Sequence, residues 1–402
     1  SEDKKSNWSR RDLLKGIAGV PIVGSVWWAG ASKGVNNTQA RDSILKTLNI
    51  NASPPPPSGP MAGDPIRIGI IGFGIRGPQL CRALGFGQKS WLASMAEAAK
   101  KNPKDTRLSS FLEQEHLNVH ITAVCDLFDV RAQDAIDSFS TDEVKVQRFR
   151  THQELVESNV VDAVVIATPD HWHAPIAIAA LEAGKHVYVE KPMTHNIKET
   201  YALKEAVEAS NVVFQVGHQH RQTQSFLTAQ DVVKKNILGH VSLIQANTNR
   251  NDDNGAWQYP IHEKANPNTI DWKQFIGNAP MVPFNAEHFF RWRKWWAYGS
   301  GLSGDLMSHD YDRVNCILKM GIPNSVVASG GIYTHKDGRN VPDVMQVNME
   351  FPDFSTGSSQ LAGKEKGMTL VYSATLGNQY GRTTAFMGHD ATMEVGNSLT
   401  IY

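Results

Sequence analysis

The sequence predicts two folded domains in series: a doubly wound α/β domain on a parallel sheet, then an α+β domain whose sheet is mostly antiparallel. Three observations predict this. Short apolar runs alternate with helical segments from residue 66 to about 220. The first strand runs into the glycine-rich turn Gly72-x-Gly74-x-x-Gly77 and then a helix. Beyond about residue 222 the alternation stops, and strand-like runs separated by turns take over. A chain of 402 residues is long enough for two cores.

The chain opens on a leader. Ser9-Arg10-Arg11-Asp12-Leu13-Leu14-Lys15 precedes an apolar stretch over 16–31 that ends in Ala29-Gly30-Ala31. Residues 1–31 therefore read as a twin-arginine-type signal with a small-x-small cleavage site. The stretch is too short and too rich in glycine for a stable membrane span. The expected location is periplasmic by the twin-arginine route, with the cytoplasm as the alternative. Residues 32–65 form a Pro-rich linker around Pro54-Pro55-Pro56-Pro57, an extended segment unable to start a helix.

Residues 66–220 are expected to form the dinucleotide-binding domain. Strand 66–71 is apolar on both faces, as buried parallel strands are. A helix follows near Pro78, where proline is tolerated in a first turn. The next strand, 121–125, arrives late, which marks 85–118 as an insertion with a helical stretch at 91–101. Then come strand 163–167, helix 174–183 closed by Gly184, strand 187–189, helix 200–210 and strand 212–216. Residues 221–402 are expected to form the α+β domain. Its helices are 226–235 and 302–319; its strands are 241–247, 325–333, 344–351 and 358–362, with a strand-like run at 398–402.

Composition excludes several functions. Forty Lys and Arg balance forty Asp and Glu, so no basic field is present to hold nucleic acid. Three cysteines, Cys81, Cys125 and Cys316, make no disulfide framework. No Cys-x-x-Cys spacing occurs, and His171-x-His173 has no third ligand of suitable spacing nearby, so no metal is expected.

The motifs that carry chemistry lie at strand ends. In the glycine turn, Gly72 permits the tight bend, Gly74 lets the backbone approach a pyrophosphate, and Gly77 lets helix and strand pack closely. Phe73, Ile75 and Arg76 complete that cradle. Asp126, at the end of strand 121–125, is placed to accept hydrogen bonds from an adenosine ribose. It lies well beyond the roughly 20-residue spacing usual for that acid, which the insertion accounts for. A carboxylate there favours NAD over NADP by repelling a 2′-phosphate. Thr168-Pro169-Asp170-His171-Trp172-His173 follows strand 163–167; Thr168, Pro169, Trp172 and His173 are expected to contact the cofactor, Trp172 as a wall. Glu190-Lys191-Pro192 ends the next strand at the same crevice, where Glu190 and Lys191 are expected to contact the cofactor and Lys191 can stabilise an incipient alkoxide. Asp305 and His309 stand four residues apart, with Asp312 beyond. On a continuous helix over 302–319 all three share one face, and His309 suits a proton acceptor.

Together these residues resemble the glucose–fructose oxidoreductase / inositol dehydrogenase / MocA (Gfo/Idh/MocA) family. The resemblance runs from about residue 66 to the end of the chain. It is strongest at Gly72–Gly77, at 167–173 and at 184–194, with further matches at Gln215-Val216-Gly217, Arg221 and Asp305-x-x-x-His309-x-x-Asp312. It implies an α/β Rossmann domain followed by an α+β domain with a large, mostly antiparallel open sheet that pairs subunits. It implies NAD-linked oxidation of a hydroxyl in a sugar, glycoside or cyclitol. Lys191, Asp305 and His309 become the catalytic lysine, acid and histidine, and these with Arg221 contact substrate. The partners expected are a small carbohydrate and copies of the same chain, as a dimer or tetramer. A second chemistry within the family's reach is glycoside cleavage by transient oxidation, elimination and re-reduction, with no net redox change. The stretch 289–296, with Trp292, Trp295 and Trp296, departs from the family; its tryptophans suit sugar faces, and Arg291 or Arg293 suits hydroxyls, while a packed loop fits the stretch equally well.

Overall fold

The computed structural model describes residues 63–252, 255–354, 356 and 366–402. The expected signal over 1–31, the linker up to residue 62 and the expected strand at 358–362 lie outside the described residues.

The chain divides into two compact units, and each is discontinuous in sequence. Among the described residues the first comprises 63–217 and Trp257–Asp305, and the second His218–Ala256 and Leu306–Tyr402. No helix among the described residues is long and apolar enough to cross a membrane.

The first unit is built on six parallel strands: β1 (Ile66–Ile71), β2 (Val119–Cys125), β3 (Gln147–Arg148), β4 (Ala163–Ile166), β5 (His186–Glu190) and β6 (Phe214–Gly217). Their order is β3-β2-β1-β4-β5-β6. Strand order reverses between β1 and β4, and ligands of such sheets bind at the carboxyl ends of strands beside that reversal. Helices α1 (Arg76–Ala83), α2 (Lys89–Lys101), α3 (Arg107–Leu112), α4 (Asp129–Phe139), α5 (His152–Glu157), α6 (His173–Glu182) and α7 (Ile197–Ala209) connect the strands. Ile70, Val124, Val164 and Val189 in the central strands are fully buried, as the apolar runs require. The insertion carries α2 and α3, tied by Trp91 against Phe111 at 5.2 Å and by Arg82 over Trp91 at 4.8 Å.

Residues 257–305 correct the expected boundary at 220/221: they belong with the first unit rather than with 221–402. The reason is aromatic. Phe128, directly after β2, is buried with Phe275, Phe289, Phe290 and Tyr298. Backbone bonds from Asp129 N to Thr269 O and from Asp271 N to Leu127 O, both 2.9 Å, stitch the two stretches together.

Among the described residues the second unit holds seven strands: β7 (Val241–Asn249), β8 (Ser325–Gly331), β9 (Val344–Phe351), β10 (Met368–Thr375), β11 (Thr384–Gly388), β12 (Thr392–Val395) and β13 (Leu399–Ile401), in the order β13-β12-β11-β7-β10-β9-β8. Every pair is antiparallel except β7–β10. Helix α8 (Gln224–Lys234) lies on β12 and β13, and α9 (Ser308–Leu318) lies on β7 and on α8. Alternation is clear in β9, where Val347, Met349 and Phe351 are buried while Gln346, Asn348 and Glu350 face out.

The expected helix at 302–319 is helical over 301–318, but Ser303–Met307 within it winds as a π-helical turn before the α-helix Ser308–Leu318. A π-turn advances fewer degrees per residue than an α-turn, so the one-face argument for Asp305, His309 and Asp312 fails.

Candidate active site

The glycine turn is fixed by sterics. Gly72 has φ +89°, and a Cβ there would lie 2.7 Å from Ala167 O. A Cβ on Gly77 would lie 2.4 Å from Gly72 O. The Gly72 N–H donates to Cys125 O at 2.8 Å, which ties the turn to the end of β2. Gly74 is different: a Cβ there would meet only Arg131 at ordinary contact, 3.5 Å. The space over Gly74 is open for a ligand's close approach.

Asp126 is buried and reaches back to that turn. One carboxylate oxygen accepts the Phe73 N–H at 2.6 Å, and the other accepts the Phe128 N–H at 2.8 Å. Each oxygen has further lone pairs for a ribose hydroxyl. Next to it, at the ends of β2 and β3, lies an open cavity of about 490 Å³ lined by Asp126, Arg148, Arg150, Asp271, Trp272 and Lys273. Asp129 faces burial, which would raise its pKa. Its ion pairs with Arg148 and Arg150 override that, and the carboxyl sits below its ordinary value.

On the far side of the switch point, the Thr168 hydroxyl is buried with no hydrogen-bond partner. An orphaned buried hydroxyl needs an explanation, and a bound ligand's polar group supplies one. The open space over Gly74, the Asp126 lone pairs and the Thr168 hydroxyl all fit a dinucleotide. Pro169 continues the chain in extended geometry into the turn Asp170–Trp172.

Two expected cofactor contacts are braces instead. His173 is buried, with Nδ1 2.6 Å from Pro192 O and Nε2 2.9 Å from Thr168 O. Both ring nitrogens are spent on backbone, so His173 fixes the two crevice loops to each other. Trp172 donates its indole N–H to Phe275 O at 3.0 Å and closes against Gly277, where an added Cβ would lie 2.6 Å from the ring. Its wall supports residues 272–277. Ile75 is exposed. Arg76 points across to β5, where its Nε donates to Glu190 at 2.7 Å; Tyr188 donates to the same oxygen at 3.2 Å.

His171 is the third ring of that turn. Its Nε2 lies 2.8 Å from Phe275 O and its Nδ1 3.3 Å from Tyr298 O. Burial pulls its pKa down from 6.5 to about 4, against the carbonyl bonds that raise it. A folded value below the unfolded one gives stability that is present above pH 6.5 and lost as pH falls through about 4. His171 is expected to contribute about 2–3 kcal/mol of acid sensitivity across that window. Urea unfolding at pH 7 and pH 4.5 checks this: the stability difference between the two should shrink in His171→Gln. An equal difference in both proteins refutes it.

Lys191 and Asp305 meet within the first unit. The Lys191 ammonium donates to the Asp305 backbone oxygen at 2.6 Å and lies 3.6 Å from carboxylate Oδ1. Oδ1 also takes the Arg293 Nε–H at 2.9 Å, and Oδ2 takes the Trp257 indole N–H at 3.1 Å. Burial lowers the Lys191 pKa; Arg293 pushes the same way, and Asp305, Asp170 and Glu190 oppose. Arg291, the other arginine expected to meet hydroxyls, donates to Tyr259 O at 2.9 Å and pairs with Glu287.

His309 and Arg221 belong to the second unit. His309 packs edge-on to His220, with ring centroids 5.8 Å apart. Arg221 grips Asp312 through Nε and Nη2, and His218 Nδ1 lies 3.5 Å from the same carboxylate. Asp312 is thus the anchor of Arg221, whose side chain stays 53% exposed. Below them Asp310 is buried. Its burial raises its pKa, while Arg313 and the Thr248 hydroxyl oppose. Among the described residues, no group of three or more His, Cys, Asp or Glu side chains is placed to hold a metal ion.

Trp257 was missed by sequence reasoning, because nothing in its local spacing links it to Asp305. Arg293 was read as a hydroxyl contact; its Nε belongs to Asp305.

Residues 66–218 match the oxidoreductase family described as GFO_IDH_MocA, NAD-binding Rossmann fold. Levoglucosan dehydrogenase of Pseudarthrobacter phenanthrenivorans is 30% identical over 190 residues, which cover 44% of this chain and 41% of that protein. Inositol 2-dehydrogenase of Salmonella paratyphi B is 25% identical over 127 residues, 31% of this chain and 37% of that protein. The chain therefore spans less than half the length of these two curated relatives. A solved levoglucosan dehydrogenase in complex with NADH and levoglucosan shares the fold, with TM-score 0.55 and 19% identity, over 83% of this chain and 74% of that one.

Proposed function

We infer the activity of this chain from its family: through residues 66–218 it belongs to the Gfo/Idh/MocA oxidoreductases and carries their NAD-binding Rossmann fold. The reaction is oxidation of a secondary hydroxyl in a sugar, glycoside or cyclitol. NAD supplies the hydride acceptor. Gly72, Gly74 and Gly77 form the cradle, and Asp126 and Thr168 offer polar groups to the cofactor's sugars and phosphates. The Lys191 ammonium hydrogen-bonds the reacting oxygen and stabilises the charge that develops on it. His309 accepts the hydroxyl proton. Asp305 holds Lys191, and Arg221 binds hydroxyls away from the reacting carbon.

The observation that carries this reading is the buried Lys191 at the end of β5. Its side chain is 10% exposed, it follows β5 in the same parallel sheet as the glycine turn, and His173 ties the next residue, Pro192, to Thr168, whose hydroxyl is orphaned. A lysine held there by one carbonyl and one shared carboxylate has donors left for a substrate oxygen.

The leader motif Ser9–Lys15 favours a second reading. Twin-arginine export moves folded proteins, and an exported enzyme lacks a surrounding NAD pool. Such an enzyme must keep its cofactor and regenerate it in place, which suits glycoside cleavage by oxidation, elimination and re-reduction. We place the protein in the periplasm on this ground and expect it to associate with copies of itself.

One experiment separates the readings. Protein purified without added nucleotide is denatured and its supernatant assayed for NAD; glycosides are then supplied with and without an electron acceptor. Near-stoichiometric NAD and an acceptor-dependent keto-sugar support the dehydrogenase. A released aglycone without acceptor supports the cleavage cycle. An empty site with affinity of micromolar or weaker refutes the retained cofactor, and neither product refutes both reactions.

A further inference from the structure

Two cations share one carboxylate oxygen in the first unit, and they share it unequally. Arg293 Nε is 2.9 Å from Asp305 Oδ1, while Lys191 Nζ is 3.6 Å from it. Lys191 makes its short bond, 2.6 Å, to the main-chain oxygen of the same residue. The other carboxylate oxygen is occupied by the Trp257 indole at 3.1 Å.

We propose that Arg293 is a positioning residue for the catalytic lysine: by taking the near contact to Asp305 it keeps Lys191 from forming a full ion pair and leaves ammonium hydrogens to donate to the reacting oxygen. The proposal rests on the role given to Lys191 above.

The surroundings support it. The charged groups that act most on Lys191 are Asp305, Asp170, Arg293 and Glu190. Two of the acids are already engaged. Asp170 accepts from Ser300 N at 2.9 Å and Ser300 Oγ at 2.5 Å. Glu190 is held by Arg76 at 2.7 Å. Asp305 is the acid nearest the ammonium, and Arg293 takes it. Arg293 is itself fixed: its guanidinium lies 4.2 Å from the Trp292 ring centroid and 5.8 Å from that of Tyr259. Flat stacking on rings is open to guanidinium and not to a lysine ammonium. Burial alone would lower the Arg293 pKa, but the Asp305 carboxylate overrides this and raises it, so the cation persists across the working range.

The test reads Lys191 directly. Competitive labelling with acetic anhydride, followed by mass spectrometry of the Lys191 peptide across pH, gives its titration midpoint without any substrate. With Arg293→Gln, Asp305 is free to pair fully with Lys191, and the midpoint is expected to rise by about one unit. Arg293→Lys keeps the charge and should return it most of the way. Asp305→Asn is isosteric and leaves Arg293 unopposed, so there the midpoint should fall. That variant keeps the proposal testable if Arg293→Gln does not fold. An unmoved midpoint in Arg293→Gln, or an Asp305→Asn midpoint that stays or rises, overturns the proposal. The alkaline limb of kcat/KM on a turned-over sugar should move with the labelling midpoint. If labelling shifts as stated and no sugar is oxidised, the electrostatic coupling stands and the functional reading fails.

Discussion

Lys191→Ala is expected to lower turnover by roughly 10²–10⁴-fold while NAD still binds, and His309→Ala to do the same. The two losses have different origins. Lys191 is 10% exposed and its ammonium is poised by the carbonyl and carboxylate of Asp305. Alanine removes the donor that meets charge developing on the reacting oxygen, and a preorganised donor of that kind is worth about 10²–10³-fold by itself. The glycine turn, Asp126 and Thr168 are untouched, so cofactor affinity should change little. His309 lies in the second unit against His220, and under the proposed mechanism its loss removes the proton acceptor. Single-turnover formation of NADH, measured beside NAD titration, checks both. Near-normal turnover in His309→Ala refutes the general-base role. Equal loss of turnover and of NAD affinity in Lys191→Ala points to a damaged cradle instead.

The first unit was legible where chemistry and sterics act locally. Gly72 and Gly77 can be read from sequence because no side chain fits at either position. Strand β1 stands at Ile66–Ile71, the expected bounds; its buried part is Ile68–Ile71, while Ile66 and Arg67 are exposed. The edge strand β3 was not foreseen: two residues, Gln147 and Arg148, give no pattern. In the second unit β10 was missed although Met368, Leu370, Tyr372 and Ala374 alternate inward, since Thr369, Ser373 and Thr375 between them look like loop residues. The π-turn at Ser303–Met307 was illegible because helical composition does not distinguish α from π winding. Residues 257–305 could not be assigned from spacing, for their attachment depends on Phe128 finding partners more than a hundred residues away. His173 shows the general limit. A histidine at a strand end reads as a site residue, and only the two carbonyls facing its ring reveal a brace.

Replacing Asp126 by alanine should weaken NAD binding by about 1–3 kcal/mol, or roughly 5- to 150-fold. The structure makes this more than the loss of one ribose contact. Asp126 accepts the Phe73 N–H from the glycine turn and the Phe128 N–H at the edge of the aromatic cluster. Alanine leaves both buried donors without that acceptor and frees the turn that Gly72 anchors to Cys125. Asn is the sharper probe. It keeps the shape and one acceptor, but its amide faces the second N–H with another donor, so Asp126→Asn should also lose affinity. The charge is tested by the second dinucleotide. If the carboxylate repels a 2′-phosphate, both variants should bind NADP relatively better than the native protein does, and the preference for NAD should narrow. Titration of cofactor-stripped protein with NAD, NADP and ADP decides the matter. A uniform loss across all three, with an unchanged NAD-to-NADP ratio, would leave Asp126 a brace of the turn and remove it from cofactor selection. A loss confined to NAD, with NADP gaining, would make the same carboxylate both the brace and the selector.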